Sequence, residues 1–181
     1  MKIIIAPFAA RTLTGNPNPK NYPIRFWEQV IAKLTMLGCE IIQIGVVGEP
    51  RIEGVGEFIQ GWPLKKLRAV AENADTWISV DSFWPHFCHT ERLKSGVVIF
   101  SQSDPIIFGH PENTNLLKDR KYLREFQFQD WHNTPYNEAA FVLPQVIVDA
   151  VLAHVGNQTV KSQNGHRTIQ GSVSMATAEA A

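Results

Sequence analysis

Short, mainly apolar runs alternate along the chain with longer segments whose apolar residues recur at helical spacing. The runs Lys2–Ala6, Cys39–Ile44, Thr76–Val80 and Gly96–Phe100 are each followed by a proline, a glycine or a polar residue. Apolar runs of about four to eight residues are typical of strands that a parallel sheet buries on both faces. A further, shorter strand is predicted at Glu125–Phe128. The pattern therefore predicts about five strands.

Helical periodicity fills most of the intervals between these runs. It predicts helices at Pro23–Leu37, Leu64–Asn73, Pro85–Lys94 and Asn137–Val155, the last of them kinked or split at Pro144. Strands that alternate with helices are typical of a parallel sheet covered by helices on both faces. We therefore predict an α/β fold built on a Rossmann-like parallel sheet.

The composition changes near the carboxyl terminus of this 181-residue chain, which is long enough to bury a substantial core. From Gly156 onward, Gln, Ser, Thr, Gly and Ala dominate. Such a segment has too few apolar side chains to form a core of its own. We therefore expect a Rossmann-like domain over residues 1–155 and a flexible or partner-docked tail over residues 156–181.

The charges of the chain balance, because 17 Lys and Arg residues face 17 Asp and Glu residues. Nucleic-acid surfaces need clustered cations that displace the counterions of the phosphate backbone. The close group Lys65, Lys66 and Arg68 is typical of a solvated helix face. We therefore expect no dedicated nucleic-acid surface.

Cysteine usage and the apolar runs bear on the location of the protein. Cys39 and Cys88 lie in apolar surroundings and form no CxxC pair, a usage typical of a reducing compartment. No apolar run approaches the ~18 residues of a membrane span. The segment Met1–Pro7 is too short for a signal peptide and is typical of a buried first strand. These features predict a cytoplasmic protein with no membrane span.

Polar residues follow the apolar run Thr76–Val80 directly. Asp81 and Ser82 end the predicted strand, and His86 follows five residues after Asp81, where a helix begins. Ligands of open α/β sheets bind at the carboxyl ends of the strands, and a helix amino terminus favours phosphate. Ser82 can donate a hydroxyl to such an anion, and His86 can stabilise a diphosphate. Asp81 would repel phosphate, so we expect it to accept from sugar hydroxyls or from amides of its own turn.

Simpler interpretations of the same residues remain open. Asp81 and Ser82 suit a helix cap without any ligand, and His86 suits packing within the helix. His86 and His89 are three apart on the predicted helix, but the sequence offers no third ligand beside them, so we expect no metal site. The neighbouring aromatic residues suit core packing or a stacking surface for a base: Phe83, Trp84 and Phe87. The segment Trp131–Asn133 suits a pocket wall or an interface.

Several segments together resemble a known family. Asp81–His86 reads DSFWPH, Val97–Phe100 reads VVIF and Ser101–Pro105 reads SQSDP. They resemble Asp-Ser/Thr-Gly-x-x-His, Val-x-x-Phe and Gly-Pro-Thr-Asp-Pro in the carboxyl-terminal, nucleotide-sugar-binding half of heptosyltransferase-type glycosyltransferases, family 9, which have the GT-B fold. Tyr22–Trp27 resembles the start of a helix in that family, and Pro63–Leu67 resembles another of its helices.

The resemblance implies roles for particular side chains. It implies that Asp81, Ser82 and His86 face the diphosphate and sugar of an activated donor. Arg11 and Lys20 are the candidates in the first loop for phosphate contact, together with Thr12, although basic loop residues also suit plain solvation. The resemblance further implies that one acidic residue lies near the nucleoside ribose, and this residue is Glu49.

The resemblance also implies a function. We expect a glycosyltransferase-like domain that binds a nucleoside diphosphate sugar as donor substrate and uses no other cofactor. A GT-B enzyme has two such halves, so a second chain or copy would supply the acceptor site, and we expect a homo-oligomer or a partner subunit. No general base is identified in the sequence. Phe83 and Ser101 stand where the family has glycines, which leaves a non-catalytic GT-B-like structural or assembly subunit as the alternative.

Overall fold

A computed structural model describes residues 1–15, 17–128 and 131–158 and contains one six-stranded sheet. All neighbouring strands are parallel, and their spatial order is β3-β2-β1-β4-β5-β6. The strands are β1 (Lys2–Ala6), β2 (Glu40–Gly45), β3 (Glu57–Gln60), β4 (Thr76–Val80), β5 (Val97–Phe100) and β6 (Thr114–Leu117). The predicted Rossmann-like α/β fold is confirmed.

Helices cover both faces of this sheet. They are α1 (Ile24–Met36), α2 (Leu64–Glu72), α3 (Phe83–Thr90), the single turn α4 (Pro105–Phe108) and α5 (144–158), with 3-10 turns at Arg120–Tyr122 and Glu138–Ala140. One hydrophobic cluster joins the sheet to α1 and α5, and a second joins it to α2 and α3. The side chains of β1 alternate between the two clusters: Ile3 and Ile5 face one, and Ile4 and Ala6 face the other.

The sheet has six strands where about five were predicted, and one predicted strand, Glu125–Phe128, is not formed. Glu125–Phe128 forms a turn, in which the Gln127 side chain donates to the backbone oxygens of Arg124 (2.7 Å) and Gln102 (3.2 Å). The edge strands β3 and β6 were missed because they are only four residues long and carry polar side chains. A half-buried edge strand does not produce the continuous apolar run of a central strand.

The predicted helix over Asn137–Val155 is split, because α5 begins at Pro144 after a separate 3-10 turn. The segment Glu138–Gln158 is long and apolar enough to cross a membrane by length and composition alone, although 44% of its most apolar window is buried. Ile147 and Val148 of α5 pack in the core beside α1. A core helix has this composition, so the segment does not establish a membrane span. Of the tail predicted over 156–181, residues 156–158 continue α5 and the remainder lies outside the described residues.

The strand order creates a divergence at the centre of the sheet. The chain passes from β1 to β2 on one side, and β4 returns to pair with β1 on the other. The loops after β1 and β4 therefore leave their strands in opposite directions, and a crevice opens between them. In doubly wound sheets this crevice, at the carboxyl ends of the strands, is where ligands bind.

A short connection follows β5 and is held by a capped turn. Asp104 Oδ1 accepts from the backbone N–H of Ile106 (3.0 Å), which caps the start of α4. The Arg120 guanidinium donates to both carboxylate oxygens of Asp104, at 3.3 and 2.7 Å. Arg120, and after it the Ile106 N–H, hold the pKa of Asp104 below its ordinary value.

We predict that Gly96→Ala destabilises the protein by about 1–3 kcal/mol. A Cβ at Gly96 would lie 2.4 Å from the backbone oxygen of Trp77 and 2.3 Å from its ring, so β4 and β5 would have to move apart. Gly156→Ala is the matched control, because a Cβ there meets nothing within 4 Å and alanine favours a helix by up to ~1 kcal/mol. Urea unfolding measures both variants, and equal free energies of unfolding would contradict the prediction.

We also predict a pH-dependent effect of Asp104→Asn. The folded-state pKa of Asp104 lies below the ordinary 3.8, so the ionised carboxylate stabilises the fold above about pH 4. That contribution is lost as the pH falls through the folded-state pKa. The wild type should therefore unfold at higher urea concentration than the variant at pH 7, and the gap should narrow as the pH is lowered below about 4. Asp149→Asn, on the exposed side of α5, is the control, and a gap that is the same at every pH below 4 as at pH 7 would refute this assignment.

Candidate functional site

The described part of the loop after β1 is fixed by its own asparagines. Asn18 is buried, its Nδ2 donates to the backbone oxygen of Ala10 (2.5 Å), and its Oδ1 accepts from the backbone N–H of Lys20 (2.9 Å). Asn21 Oδ1 accepts from the backbone N–H of Ala9 at 2.8 Å. These bonds satisfy backbone groups that neither a helix nor a strand would satisfy, and they fix the two basic residues of the loop.

Arg11 and Glu49 meet where this loop approaches the loop after β2. Arg11 Nη2 donates to the backbone oxygen of Gly48 (3.1 Å), and Glu49 Oε2 accepts from the backbone N–H of Val46 (3.1 Å). A Cβ at Gly45 would lie 2.2 Å from Glu49 Oε2, so glycine leaves the room that the carboxylate needs. Partial burial raises the pKa of Glu49 above its ordinary value, against the opposing effects of the Val46 N–H and Arg11.

A cavity of about 470 Å³ lies at the carboxyl edge of the sheet, and Arg11, Glu49 and Ser82 contribute polar groups to its lining. The rest of the wall is mainly apolar and includes Phe8, Ile44, Val46, Trp62, Leu64, Leu67, Phe83 and Trp84. A second cavity of about 440 Å³ shares Phe8, Arg11 and Glu49 with the first and extends along the loop after β1. The first cavity thus brings together three of the seven side chains singled out in the sequence, and Thr12 lines the second cavity.

Lys20 and Asp81 form an ion pair that lines neither of these cavities. Lys20 Nζ lies 2.8 Å from Asp81 Oδ2, and Asp81 is 4% exposed. The two atoms are not aligned for a hydrogen bond, so the interaction between Lys20 and Asp81 is mainly charge attraction. Lys20 Nζ also lies 5.3 Å from the ring centre of Trp131 and 5.9 Å from that of Phe108. Asp81 was expected to accept from sugar hydroxyls or its own turn, and its carboxylate pairs with a lysine instead.

Ser82 occupies the position before α3 but makes no side-chain cap hydrogen bond. Its hydroxyl lies 3.2 Å from the hydroxyl of Ser79. The alternative of a plain helix cap is therefore not formed at Ser82, and no side chain among the described residues caps the first N–H groups of α3. Pro85, in the same turn, has no N–H to offer.

Phe83, which stands where the resembling family has glycine, forms part of the cavity wall. It is 56% exposed, and its ring stacks on that of Phe87 with the centroids 5.4 Å apart. Trp84 and Phe87 are buried in the core against the sheet. The aromatic cluster is therefore divided, because two rings pack inward and Phe83 remains at the surface of the cavity.

His86 lies outside the cavity, away from the place that the resemblance implies. The helix α3 begins at Phe83, two residues earlier than the predicted start at Pro85. His86 consequently falls on an exposed face of the first helical turn, where its Nδ1 lies 2.9 Å from Nε2 of His110. At this position His86 does not line the cavity, so its placement does not predict contact with a ligand bound there.

Two side chains connect the loops of the site: Ser101, and His132 of the segment Trp131–Asn133, which the sequence suggested as a pocket wall or an interface. The Ser101 hydroxyl donates to the backbone oxygen of Pro19 (2.8 Å) and ties the end of β5 to the loop after β1. His132 Nδ1 accepts from the backbone N–H of Leu13 at 3.2 Å, while its backbone oxygen accepts from the Thr14 hydroxyl at 3.2 Å. These hydrogen bonds join residues far apart in the chain, so a short sequence motif does not predict them.

Comparisons with known proteins show similarity in fold. No family model matches the sequence, and neither does any curated protein. The family 9 glycosyl transferase from Veillonella parvula DSM 2008 matches 87% of this chain and 46% of its own, with a TM-score of 0.64 and 14% identity. ADP-heptose LPS heptosyltransferase II of E. coli matches 87% of this chain and 47% of its own, with a TM-score of 0.63 and 12% identity.

A third similar structure is the dodecameric, iron-containing heptosyltransferase TibC from enterotoxigenic E. coli, solved in complex with ADP-D-β-D-heptose. It matches 90% of this chain and 45% of its own, with a TM-score of 0.53 and 17% identity. The chain therefore spans about half the length of each of these structures, in agreement with the resemblance to one half of such an enzyme. Its fold is that of a half-length unit of family 9 glycosyltransferases and heptosyltransferases.

Proposed function

We propose that this chain is a glycosyltransferase-like domain that binds a nucleoside diphosphate sugar at the carboxyl edge of its sheet. The observation that carries the proposal is the cavity of about 470 Å³, which combines Arg11, Glu49 and Ser82 with an apolar wall beside the β1–β4 divergence. The complex of the similar TibC structure with ADP-D-β-D-heptose supports the choice of ligand class.

Each polar group of the cavity suits a different part of the ligand. Arg11 uses one N–H on the backbone of Gly48, and its guanidinium has further donors for phosphate oxygens. The Ser82 hydroxyl and the first turn of α3 lie at the same cavity and favour the same anion. Glu49 accepts one backbone bond through Oε2, and its carboxylate can accept further from ribose hydroxyls.

The apolar wall suits the base. Trp62 and Phe83 are 41% and 56% exposed, and both line the cavity with Val46. An aromatic face with a small aliphatic neighbour stacks against any nucleobase with little selectivity. The wall therefore supports binding of a nucleoside and leaves the choice of base to be measured.

The Lys20–Asp81 pair contributes electrostatically rather than by contact. A buried, unpaired carboxylate at position 81 would repel a diphosphate bound nearby. Lys20 cancels most of that charge at 2.8 Å. His86, in contrast, is left out of the proposed site because it pairs with His110 outside the cavity.

Transfer would need a partner. The similar structures are about twice as long as this chain, so the acceptor side would come from a second chain or a second copy. An acceptor hydroxyl would attack the anomeric carbon, and the nucleoside diphosphate would leave with its negative charge stabilised by Arg11 and the start of α3. No described residue is assigned as the general base.

Nucleotide binding tests the proposal directly. ADP, UDP and GDP are titrated separately into the protein and followed by thermal unfolding and calorimetry. At least one should stabilise the fold, by roughly 2.7 kcal/mol at 100 times its Kd. Arg11→Ala should weaken that nucleotide about tenfold, because a charge-assisted hydrogen bond is worth about 1.5–3 kcal/mol. Arg68→Ala is the matched control, since Arg68 pairs with Glu72 and Glu91 on the outer surface.

The outcomes separate binding from transfer. No stabilisation by any of the three nucleotides at millimolar concentration would end the proposal, and so would equal weakening in the two arginine variants. Binding without hydrolysis or transfer of a matching nucleotide-sugar, in the chain alone and in its oligomers, would favour the non-catalytic subunit.

A second prediction concerns the buried ion pair. Lys20→Met leaves Asp81 buried without this cation, so it should lower the free energy of unfolding by about 3 kcal/mol, at the low end for broken buried pairs because the lysine is partly exposed. The double variant Lys20→Met/Asp81→Asn should recover part of that loss. Urea unfolding measures all three proteins, and additive losses in the double variant would show that the pair does not act as a unit.

A further inference from the structure

Three histidines and a glutamate converge on the surface at a place that the candidate site does not use. His86 and His89 lie three residues apart on α3, and His110 and Glu112 lie in the turn between α4 and β6. His86 Nδ1 is 2.9 Å from His110 Nε2, and His89 Nδ1 is 2.5 Å from Glu112 Oε1. Ligand atoms of His89, His110 and Glu112 all lie within 4.8 Å of one another.

We propose that these four side chains bind a divalent transition-metal ion of the zinc type, with His89, His110 and Glu112 as its core ligands and His86 as the fourth. Imidazole nitrogen and carboxylate oxygen are ligands that Zn²⁺ prefers, at about 2.0–2.2 Å. Ligand atoms in a tetrahedron of that size lie roughly 3.3 Å apart. The pairs His86–His110 and His89–Glu112, at 2.9 and 2.5 Å, are close to that spacing, and the remaining adjustment is a rotation of the His89 ring.

The backbone holds one half of this cluster firmly. The backbone oxygen of His110 accepts from the backbone N–H of Asn113 (3.1 Å) and from Asn115 Nδ2 (3.0 Å). Asn113 Oδ1 in turn accepts from the backbone N–H of Gly96 at 3.1 Å, beside β5. The turn is thus anchored to the sheet, and α3 supplies the other ligands from a regular helix. Two rigid elements that carry two ligands each favour a defined site.

Ion binding requires one ring to turn. The rings of His89 and His110 are stacked, with their centroids 3.9 Å apart and their planes 11° apart. The lone pairs of two parallel rings do not converge on one point, so the His89 ring must rotate about its side-chain bonds. Its side chain is 50% exposed, which leaves space for that rotation. The geometry therefore predicts that the stacking is lost when the ion binds.

Cys88 lies between the two helical histidines but takes no part. It is buried in the core and packs among apolar residues, whereas His86 and His89 are exposed. The donor set is therefore nitrogen and oxygen, which favours Zn²⁺ and Co²⁺ over Cu⁺.

A bound ion would join α3 to the turn before β6. The first residue of α3 lies in the cavity wall, so the ion would fasten this helix at a second point, one to two turns from the cavity. Metal binding does not depend on nucleotide binding, because the two sites share no ligand residue. Each proposal can therefore fail alone.

The test uses the full chain after treatment with a chelator. Zn²⁺ is titrated by calorimetry, and Co²⁺ is followed by its visible absorption, which is much stronger for a four-coordinate ion than for the hydrated ion. We expect about one ion per chain and a rise in the thermal midpoint. His110→Gln and Glu112→Gln should each weaken binding at least about tenfold, while Glu53→Gln, which changes an exposed carboxylate between β2 and β3, should bind as the wild type does.

Circular dichroism of each variant establishes that loss of binding is not loss of fold. Absence of saturable binding by either ion at millimolar concentration would overturn the proposal. Binding of unchanged affinity in His110→Gln and Glu112→Gln would also overturn it, because the ion would then lie elsewhere. Proton resonances of the His89 ring supply an independent measurement, since release from the His110 stack should shift them only when metal is present.

Discussion

Burial of the central strands on both faces is the constraint on which the rest of this structure depends. β1 and β4 lie in the middle of the sheet, and nearly all their side chains are enclosed by helices on one side or the other. Charged groups cannot be placed within such strands at acceptable free energy. They collect where the strands end, and parallel pairing puts all six carboxyl ends at one edge. The location of the candidate site follows from this geometry before any particular residue is considered.

How far the sequence predicts the fold depends on how local each signal is. β1 and β4 begin and end where the apolar runs predict, because a strand buried on both faces leaves a continuous apolar run. The edge strands β3 and β6 leave no such run. Helix α3 starts two residues earlier than expected because Pro85 suits any position of a first turn, and the residue alone does not say which.

The sequence predicts that the candidate site lies at the strand ends, but it does not predict which side chains contact one another there. Arg11, Glu49 and Ser82 were recognised one by one, and the fold brings them to one cavity. That Lys20 would neutralise Asp81, and that a histidine would move away from the cavity, depends on contacts between residues far apart in the chain. Such contacts are set by the relative placement of elements, which no short motif encodes.

The link between the Ser101 hydroxyl and the Pro19 carbonyl has a thermodynamic consequence. Together with the bonds of Asn18, it sets the described shape of the first loop during folding. An anion that binds there would find the loop already ordered, so binding would cost little backbone entropy. The hydroxyl of Ser101 at the neighbouring strand end thus contributes to preorganisation of this loop.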